Sequence, residues 1–420
     1  MGTIINICVF FILILYIYWM FKKNRELMFL LIPVVYVYIW CIVSVIYLES
    51  GNIYISDLNM KSGFNFSALK LMGYFFIFLT SIYISFHTKH GVLCLSKHKD
   101  RRLSINDKQC KFMIGIAILV AVTWLVDVVL SGNVLTNLSL TRFNYWDSYS
   151  KIPFMKYMFY FINPLSFILG LIFAKSENKK YKGICTIVVI TYFILNYLVG
   201  NQFSGLLGIL IYFIMPILFI KYSDFTKKQK RTILMMLVFV FIVVGTIKIR
   251  ALTDYDEFAN RFLVLQGDLW FATDIHITKN GPNFPALFDS IKNLFSGDAY
   301  EMDYLMKLVM PLEKYMIFKK GNVALYSGFP AYEISIFGYI FSIPIIAIEG
   351  WIYGKFMTYI NKKIRSKDMV VVLLAIYLLV QYNKVFNMCG YSYLFNGLPI
   401  LCIIFMTTYE TIININKNNK

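Results

Sequence analysis

Charge is scarce in this sequence, and that scarcity excludes most soluble folds. Charged residues make up 15% of the chain against 59% hydrophobic, with a mean hydropathy of +0.64. That leaves too little polar material to cover a water-soluble domain. Histidine is nearly missing. Three of the four, His87, His90 and His98, lie among Lys and Arg with no acidic ligand pattern, which argues against a metal site. The seven cysteines form no C-x-x-C pair: Cys8, Cys41, Cys185 and Cys402 fall in apolar runs, Cys94 and Cys110 in a basic loop, and Cys389 stands alone. Neither metal nor cofactor is expected. There is no internal repeat, heptad or low-complexity segment, nor the matched halves of an inverted-repeat transporter.

Long apolar runs take the place of these features. Ile4–Phe21, Leu27–Tyr47 and Phe112–Leu130 each reach about 18 residues or more, enough to cross a hydrocarbon core of ~30 Å at ~1.5 Å per residue. The pattern predicts an all-α, polytopic transmembrane helical bundle of about eleven spans, near 4–21, 27–47, 67–86, 112–130, 155–174, 184–200, 205–220, 232–247, 334–354, 369–382 and 394–413. The first run lacks a basic flank and a small-residue cleavage site, so it reads as a retained span. Three parts follow: a bundle of about eight spans over 1–247, a large loop over 248–333, and about three spans over 334–420.

The formal net charge of +18 is a matter of placement. Of the 41 Lys and Arg, 26 lie in alternate connections on one side. The positive-inside rule puts that side in the cytoplasm, and no nucleic-acid partner is implied. The 86-residue stretch Lys248–Glu333 then faces away from the cytoplasm. It carries nine basic and eleven acidic residues, net −2. Phe258–Phe271 and Tyr300–Met310 within it read as amphipathic helices on or near the membrane surface.

The outward connections hold the residue types that could carry chemistry. Arg142, Arg250 and Arg261 are permanently charged forks suited to bidentate phosphate binding, and together would suit a lipid-linked pyrophosphate; interfacial snorkelling is the plainer alternative. Trp146, Trp270 and the amide of Gln266 suit a sugar ligand, although an aromatic belt would also place such rings here. Asp274 and His276 are the leading proton acceptors, with Glu333 a third. Asp274, four residues after Trp270, shares a helix face with it. Asp127 and the Asn163-Pro164 pair are costly in lipid. They read either as the lining of a polar cleft or as structural hydrogen-bonding groups.

Three stretches carry a resemblance. They are Thr141-Arg142-Phe143 followed by Tyr145-Trp146, the Gly200-Asn201-Gln202-Phe203-Ser204-Gly205 turn, and the run from Arg261 to Asp274, which is similar to an Arg-aromatic-x-x-Leu-Gln-Gly-x-x-Trp-aromatic-x-x-Asp pattern. Gly328-Phe329-Pro330 before a span containing Gly338 adds to it. The chain thereby resembles the O-antigen polymerases of the Wzy type, membrane glycosyltransferases of bacterial surface-polysaccharide pathways. The resemblance implies a GT-C-like architecture in the bacterial inner membrane with a periplasmic active site. It further implies undecaprenyl-pyrophosphate-linked oligosaccharides as donor and acceptor, pyrophosphate held by Arg142, Arg250 and Arg261, no metal, and a chain-length regulator as a candidate partner beside membrane lipids. Asp268 and Phe271 stand where the family often repeats Gln and Trp, which leaves acceptor contacts open. A lipid-linked oligosaccharide flippase and an O-antigen ligase are the competing readings; a membrane O-acyltransferase would want a cytoplasmic or intramembrane catalytic histidine, and the absence of histidine from the predicted spans counts against it.

Overall fold

The computed structural model describes residues 2–87, 107–137, 140, 142, 144–201, 204–221, 263–294, 300–321, 323–325, 328–366, 368–388, 390–391, 395 and 397–418. Helix dominates, because apolar runs in lipid must satisfy every backbone polar group internally. Among the described residues, seven helices are long and apolar enough to cross a membrane. They are α1 (Gly2–Lys23), α2 (Arg25–Ser50), α3 (Ser67–His87), α4 (Asp107–Ser131), α7 (Lys179–Leu198), α13 (Ala331–Ile364) and α14 (Met369–Met388). Three further helices carry shorter apolar stretches: α6 (Ile162–Lys175), α8 (Ser204–Lys221) and α15 (Gly397–Asn418), the last apolar over Gly397–Tyr409. Of the eleven expected spans, 232–247 lies outside the described residues. Large apolar side chains stand on the outside of these helices, with Phe11 62%, Leu15 66% and Val129 73% exposed. Such faces fit hydrocarbon rather than water.

Two compact units divide the chain differently from the three expected parts. One is made of Met1–Leu93, Asp256–Asn361 and Leu378–Lys420, the other of Cys94–Tyr255 and Lys362–Tyr377. From Asp256 onward the large connection thus belongs with the first three helices and the last ones.

In the second unit the expected span at 155–174 is broken into α5 (Met155–Phe159) and α6, and Asn163-Pro164 lies in the first turn of α6 rather than interrupting it. Proline is tolerated there because the first helical N–H groups have no intrahelical partner. Asp127 of α4 is fully buried and accepts from Tyr145 Oη (2.8 Å), Ser150 Oγ (3.0 Å), and the backbone N–H of Lys151 (2.9 Å) and Ile152 (3.0 Å). Of its two expected roles, the structural one is the one observed.

In the first unit a short hairpin, β1 (Tyr54–Ile55) and β2 (Met60–Lys61), follows α2. The large connection contributes α9 (Asp268–Asn280), α10 (Ala286–Asn293), α11 (Tyr300–Val309) and α12 (Leu312–Lys320). The expectation of surface-lying helices needs correction here. Of the Phe258–Phe271 stretch, 258–262 lie outside the described residues, while Leu269, Trp270 and Phe271 are 0% exposed and packed within α9 against α2, α3 and α11. The apolar face of α11 (Met302, Leu305, Met306) is likewise buried. Hydrophobic periodicity marks a face that needs covering, and here protein covers it.

The connection does not simply stop where α13 starts. Phe329 is buried in an aromatic layer at the middle of the bundle, with ring centroids 4.9 Å from Phe78, 5.9 Å from Tyr38 and 5.2 Å from Phe386. Tyr38, at the midpoint of α2, donates its hydroxyl to Phe329 O at 2.8 Å. From that depth residues 331–337 climb as a short helix to Gly338, whose φ of 71° reverses the path beside Pro282. Glycine adopts this left-handed backbone without a steric penalty. Beyond it, residues 339–364 descend again past α3, and Tyr353 returns to the same aromatic layer, 5.9 Å from Phe78. The segment is re-entrant, and its non-helical backbone is buried in protein, as lipid requires.

The descending limb packs on α3 at Gly354, where a Cβ would lie 1.8 Å from Ser85 Oγ and 2.6 Å from the Ile82 carbonyl. Gly354→Leu should therefore lower the apparent melting temperature in detergent, because a backbone carbonyl cannot yield; overpacking typically costs about 1–3 kcal/mol, and the upper end is expected. Gly183→Leu, at a glycine with open space around it, should melt like wild type. Equal melting of both variants would refute this packing.

Candidate functional site

The site begins with a helix end. Four N–H groups at the start of a helix lack intrahelical partners, and at α3 a buried carboxylate meets them. Glu49 accepts from the N–H of Ser67 (2.6 Å), Ala68 (3.3 Å) and Asn65 (3.0 Å), and from Asn6 Nδ2 at 2.6 Å. Negative charge is favourable at this end of the helix dipole. The last residues of α2 thereby fix the first turn of α3.

Against that turn packs α9. Trp270, Asp274 and Thr278 recur every four residues and share one face, as the spacing predicts. Trp270 donates Nε1–H to Ser67 O at 3.0 Å and is fully buried. It is a core residue, which corrects its expected role as a sugar platform. Asp274 is also 0% exposed. Its carboxylate accepts from Lys70 Nζ at 2.9 and 3.0 Å, Asn65 Nδ2 at 3.1 Å, Tyr339 Oη at 2.6 Å, and Ser67 Oγ. Lys70 also lies over the Tyr339 ring, 4.6 Å from its centroid. A carboxylate offers about four lone-pair sites, and these donors occupy them. Asp274 therefore ties α9, α3 and the top of the descending limb together, and holds little acceptor capacity in reserve for a substrate hydroxyl.

His276, two residues on, stands apart from this cluster. It is half-buried beside Asn280 Nδ2, at 3.2 Å from Nδ1. Burial pushes its pKa below the usual value of 6.5, so the imidazole is neutral at pH 7 and able to accept a proton. Gln266 is half-buried in the turn that enters α9. Asp268 opens that helix with only 1% exposure; burial pushes its carboxyl well above the usual range, and Oδ2 has no partner among the described residues.

The arginines do not form a described cluster. Arg250 and Arg261 lie outside the described residues. Arg142 is exposed in the turn before Tyr145, in the second unit. Trp146 belongs to that unit as well, half-buried in the π-helical turn Tyr145–Tyr149 and 4.8 Å from the Phe159 ring centroid. Asp274, His276, Gln266 and Trp270 are all carried by one turn and helix of the first unit.

A second polar cluster lies deeper in the first unit. Tyr391 Oη is 2.5 Å from Glu333 Oε1 and 2.6 Å from Glu349 Oε1, and Glu333 is 1% exposed. Lys70, Glu49, Tyr339, Glu349 and Tyr391 were not singled out by the sequence. The one available signal was a charge at or inside the end of an apolar run, which gives a cost but not a partner.

Residues 296–404, about a quarter of the chain, match a family of unknown function (DUF6418). No curated protein and no solved structure matches the chain.

Removing Lys70 strands the Asp274 charge. Lys70→Met should destabilise the protein by about 1–3 kcal/mol, less than the ~3–5 kcal/mol of a fully buried pair, because the lysine side chain is 29% exposed. Lys70→Met with Asp274→Leu should recover part of that loss; a double variant worse than the sum would refute the pairing. Asp268 is the reverse case. Its folded pKa lies above the unfolded value, so its contribution is complete at acid pH and is lost as pH rises through the folded pKa. Asp268→Asn should raise the apparent melting temperature at mildly alkaline pH and change it less at acid pH. A less stable variant at alkaline pH would show an ionised, partnered Asp268.

Proposed function

We propose that this protein is a membrane glycosyltransferase that polymerises undecaprenyl-pyrophosphate-linked oligosaccharide repeats into a bacterial surface polysaccharide at the periplasmic face of the inner membrane. The observation that carries the proposal is the Arg261-to-Asp274 run, which resembles that of the O-antigen polymerases. Its anchoring residues, Trp270 and Asp274, are held on the first turn of α3. The positive-inside pattern supports the periplasmic side.

In this mechanism Arg261 binds the donor diphosphate. Fixed positive charge there stabilises the negative charge that develops on the leaving group. His276 takes the proton of the acceptor hydroxyl, the acceptor oxygen bonds to the anomeric carbon, and the carbon–oxygen bond to phosphate breaks with its electron pair passing to the diphosphate. Asp274 and Lys70 position the helix that carries His276. A second reading, a transporter of lipid-linked oligosaccharide, is favoured by the carboxyl groups buried along α13.

The two readings separate by genetics. Deletion of a polymerase should leave a single capped repeat on electrophoresis of the surface polysaccharide, whereas deletion of a transporter should leave no capped repeat. Arg261→Ala, shown to be inserted, should fail to restore long chains, with a rate loss of about 10²–10³-fold for removal of one such electrostatic donor. Full-length chains from Arg261→Ala would overturn the anion-site assignment. The rate with wild-type protein in vesicles should be flat from neutral pH upward and fall in acid, since the lowered His276 pKa leaves the base free at pH 7. His276→Gln should remove that profile, and an unchanged profile would exclude His276 as the base.

A further inference from the structure

The re-entrant segment brings two acids to one phenol inside the bundle. Glu333 lies in the first turn of the climbing helix, one turn above Phe329, and Glu349 lies on the descending limb one turn above Tyr353. Both therefore sit just above the central aromatic layer. Tyr391, from the connection after α14, reaches between them and is within hydrogen-bond distance of each, at 2.5 and 2.6 Å. A phenolic hydroxyl carries one hydrogen. It fills one of these contacts as donor. The other contact needs a hydrogen of its own, which only a carboxyl O–H can provide. Without it, two bare oxygens would face each other and two buried carboxylates would stand side by side with no cation between them among the described residues.

We infer that Glu333, Tyr391 and Glu349 form a binding site for one proton, a carboxylic acid–phenol–carboxylate chain within the membrane-embedded part of the protein. Two independent features point to the same place. Oε2 of Glu333 and Oε2 of Glu349 are buried with no hydrogen-bond partner among the described residues, a costly state for a charged carboxylate and one that a proton relieves. The chain also leaves helical geometry at this depth, and broken helices with buried acids are where membrane proteins handle ions.

The surrounding groups do not replace the proton. Glu301 of α11 lies near Glu333 and adds repulsion, while its own Oε1 takes the Ser290 hydroxyl at 2.6 Å. The Tyr332 ring stands on that of Tyr391, 6.2 Å between centroids, and Tyr382 of α14 lies near Glu349. The proton moves by a concerted shift. The carboxyl O–H of Glu349 passes its hydrogen to the phenol oxygen as the phenol passes its own to Glu333, so no atom is gained or lost.

The site stands independently of glycosyl transfer, and the test reads the proton itself. Full-length protein in phosphatidylcholine vesicles at neutral pH is compared by infrared difference spectroscopy with Glu333→Gln, Glu349→Gln and the double variant. Each single variant should lose the absorbance of one protonated carboxyl, because Tyr391 then donates to the remaining carboxylate. The double variant should lose the same single absorbance and no more. Loss confined to one single variant, a doubled loss in the double variant, or no loss at all would each overturn the shared proton. Should a variant fail to insert, carbon-13 NMR of glutamate- and tyrosine-labelled wild-type protein decides the matter. One protonated and one ionised glutamate carboxyl in contact with a single tyrosine Cζ is expected, and two of either kind would refute the site.

Discussion

The contact between Asp274 and the first turn of α3 joins segments some two hundred residues apart, and much of the first unit depends on it. A buried carboxylate is costly unless every lone pair is occupied. Here Lys70, Asn65, Ser67 and Tyr339 provide the donors. Those donors come from α3, the turn before it and the top of α13, so satisfying one charge fixes three elements. Glu49 does the same for the backbone below, and Asn65 serves both acids, with its N–H on Glu49 and its side chain on Asp274. The large connection is therefore not an appendage on a bundle but is keyed into it.

Asp127 plays a parallel part in the second unit. It too accepts several hydrogen bonds, two of them from consecutive backbone N–H groups at Lys151 and Ile152. A carboxylate near a helix end can stand in for the missing turn of a neighbouring segment. In both units a buried acid proves to be the organiser of a polar connection.

The apolar helices were legible in the sequence because lipid leaves only one solution for a long apolar run. Ser67–His87 and Arg25–Ser50 come out within a few residues of the expected spans at 67–86 and 27–47. Residues 155–174 did not, since a break at Tyr160 and Phe161 costs little when proline starts the next helix. The face shared by Trp270 and Asp274 was also legible, being a matter of periodicity within one helix. What that face meets was not. Whether an amphipathic stretch is covered by lipid headgroups or by another helix depends on contacts far away in the chain, and periodicity is the same in both cases. The pairing of Asp274 with Lys70, or of Glu333 with Tyr391, has no local signature either. The re-entry at Phe329 was hidden for a related reason: Gly328-Phe329-Pro330 reads as an ordinary approach to a span, and only the ring contacts with Tyr38, Phe78 and Phe386 set its depth.

The reversal at Gly338 makes a lever of the climbing helix. Its fulcrum rests against Pro282, and Asn283 donates its N–H to Ser335 O at 2.7 Å, so the arm is gripped near the pivot from the side of the large connection. Its far end carries an acid near the centre of the bundle. A push on the 281–285 turn would consequently be felt at that depth, by tilting one rigid helical arm rather than by relaying strain through many soft contacts.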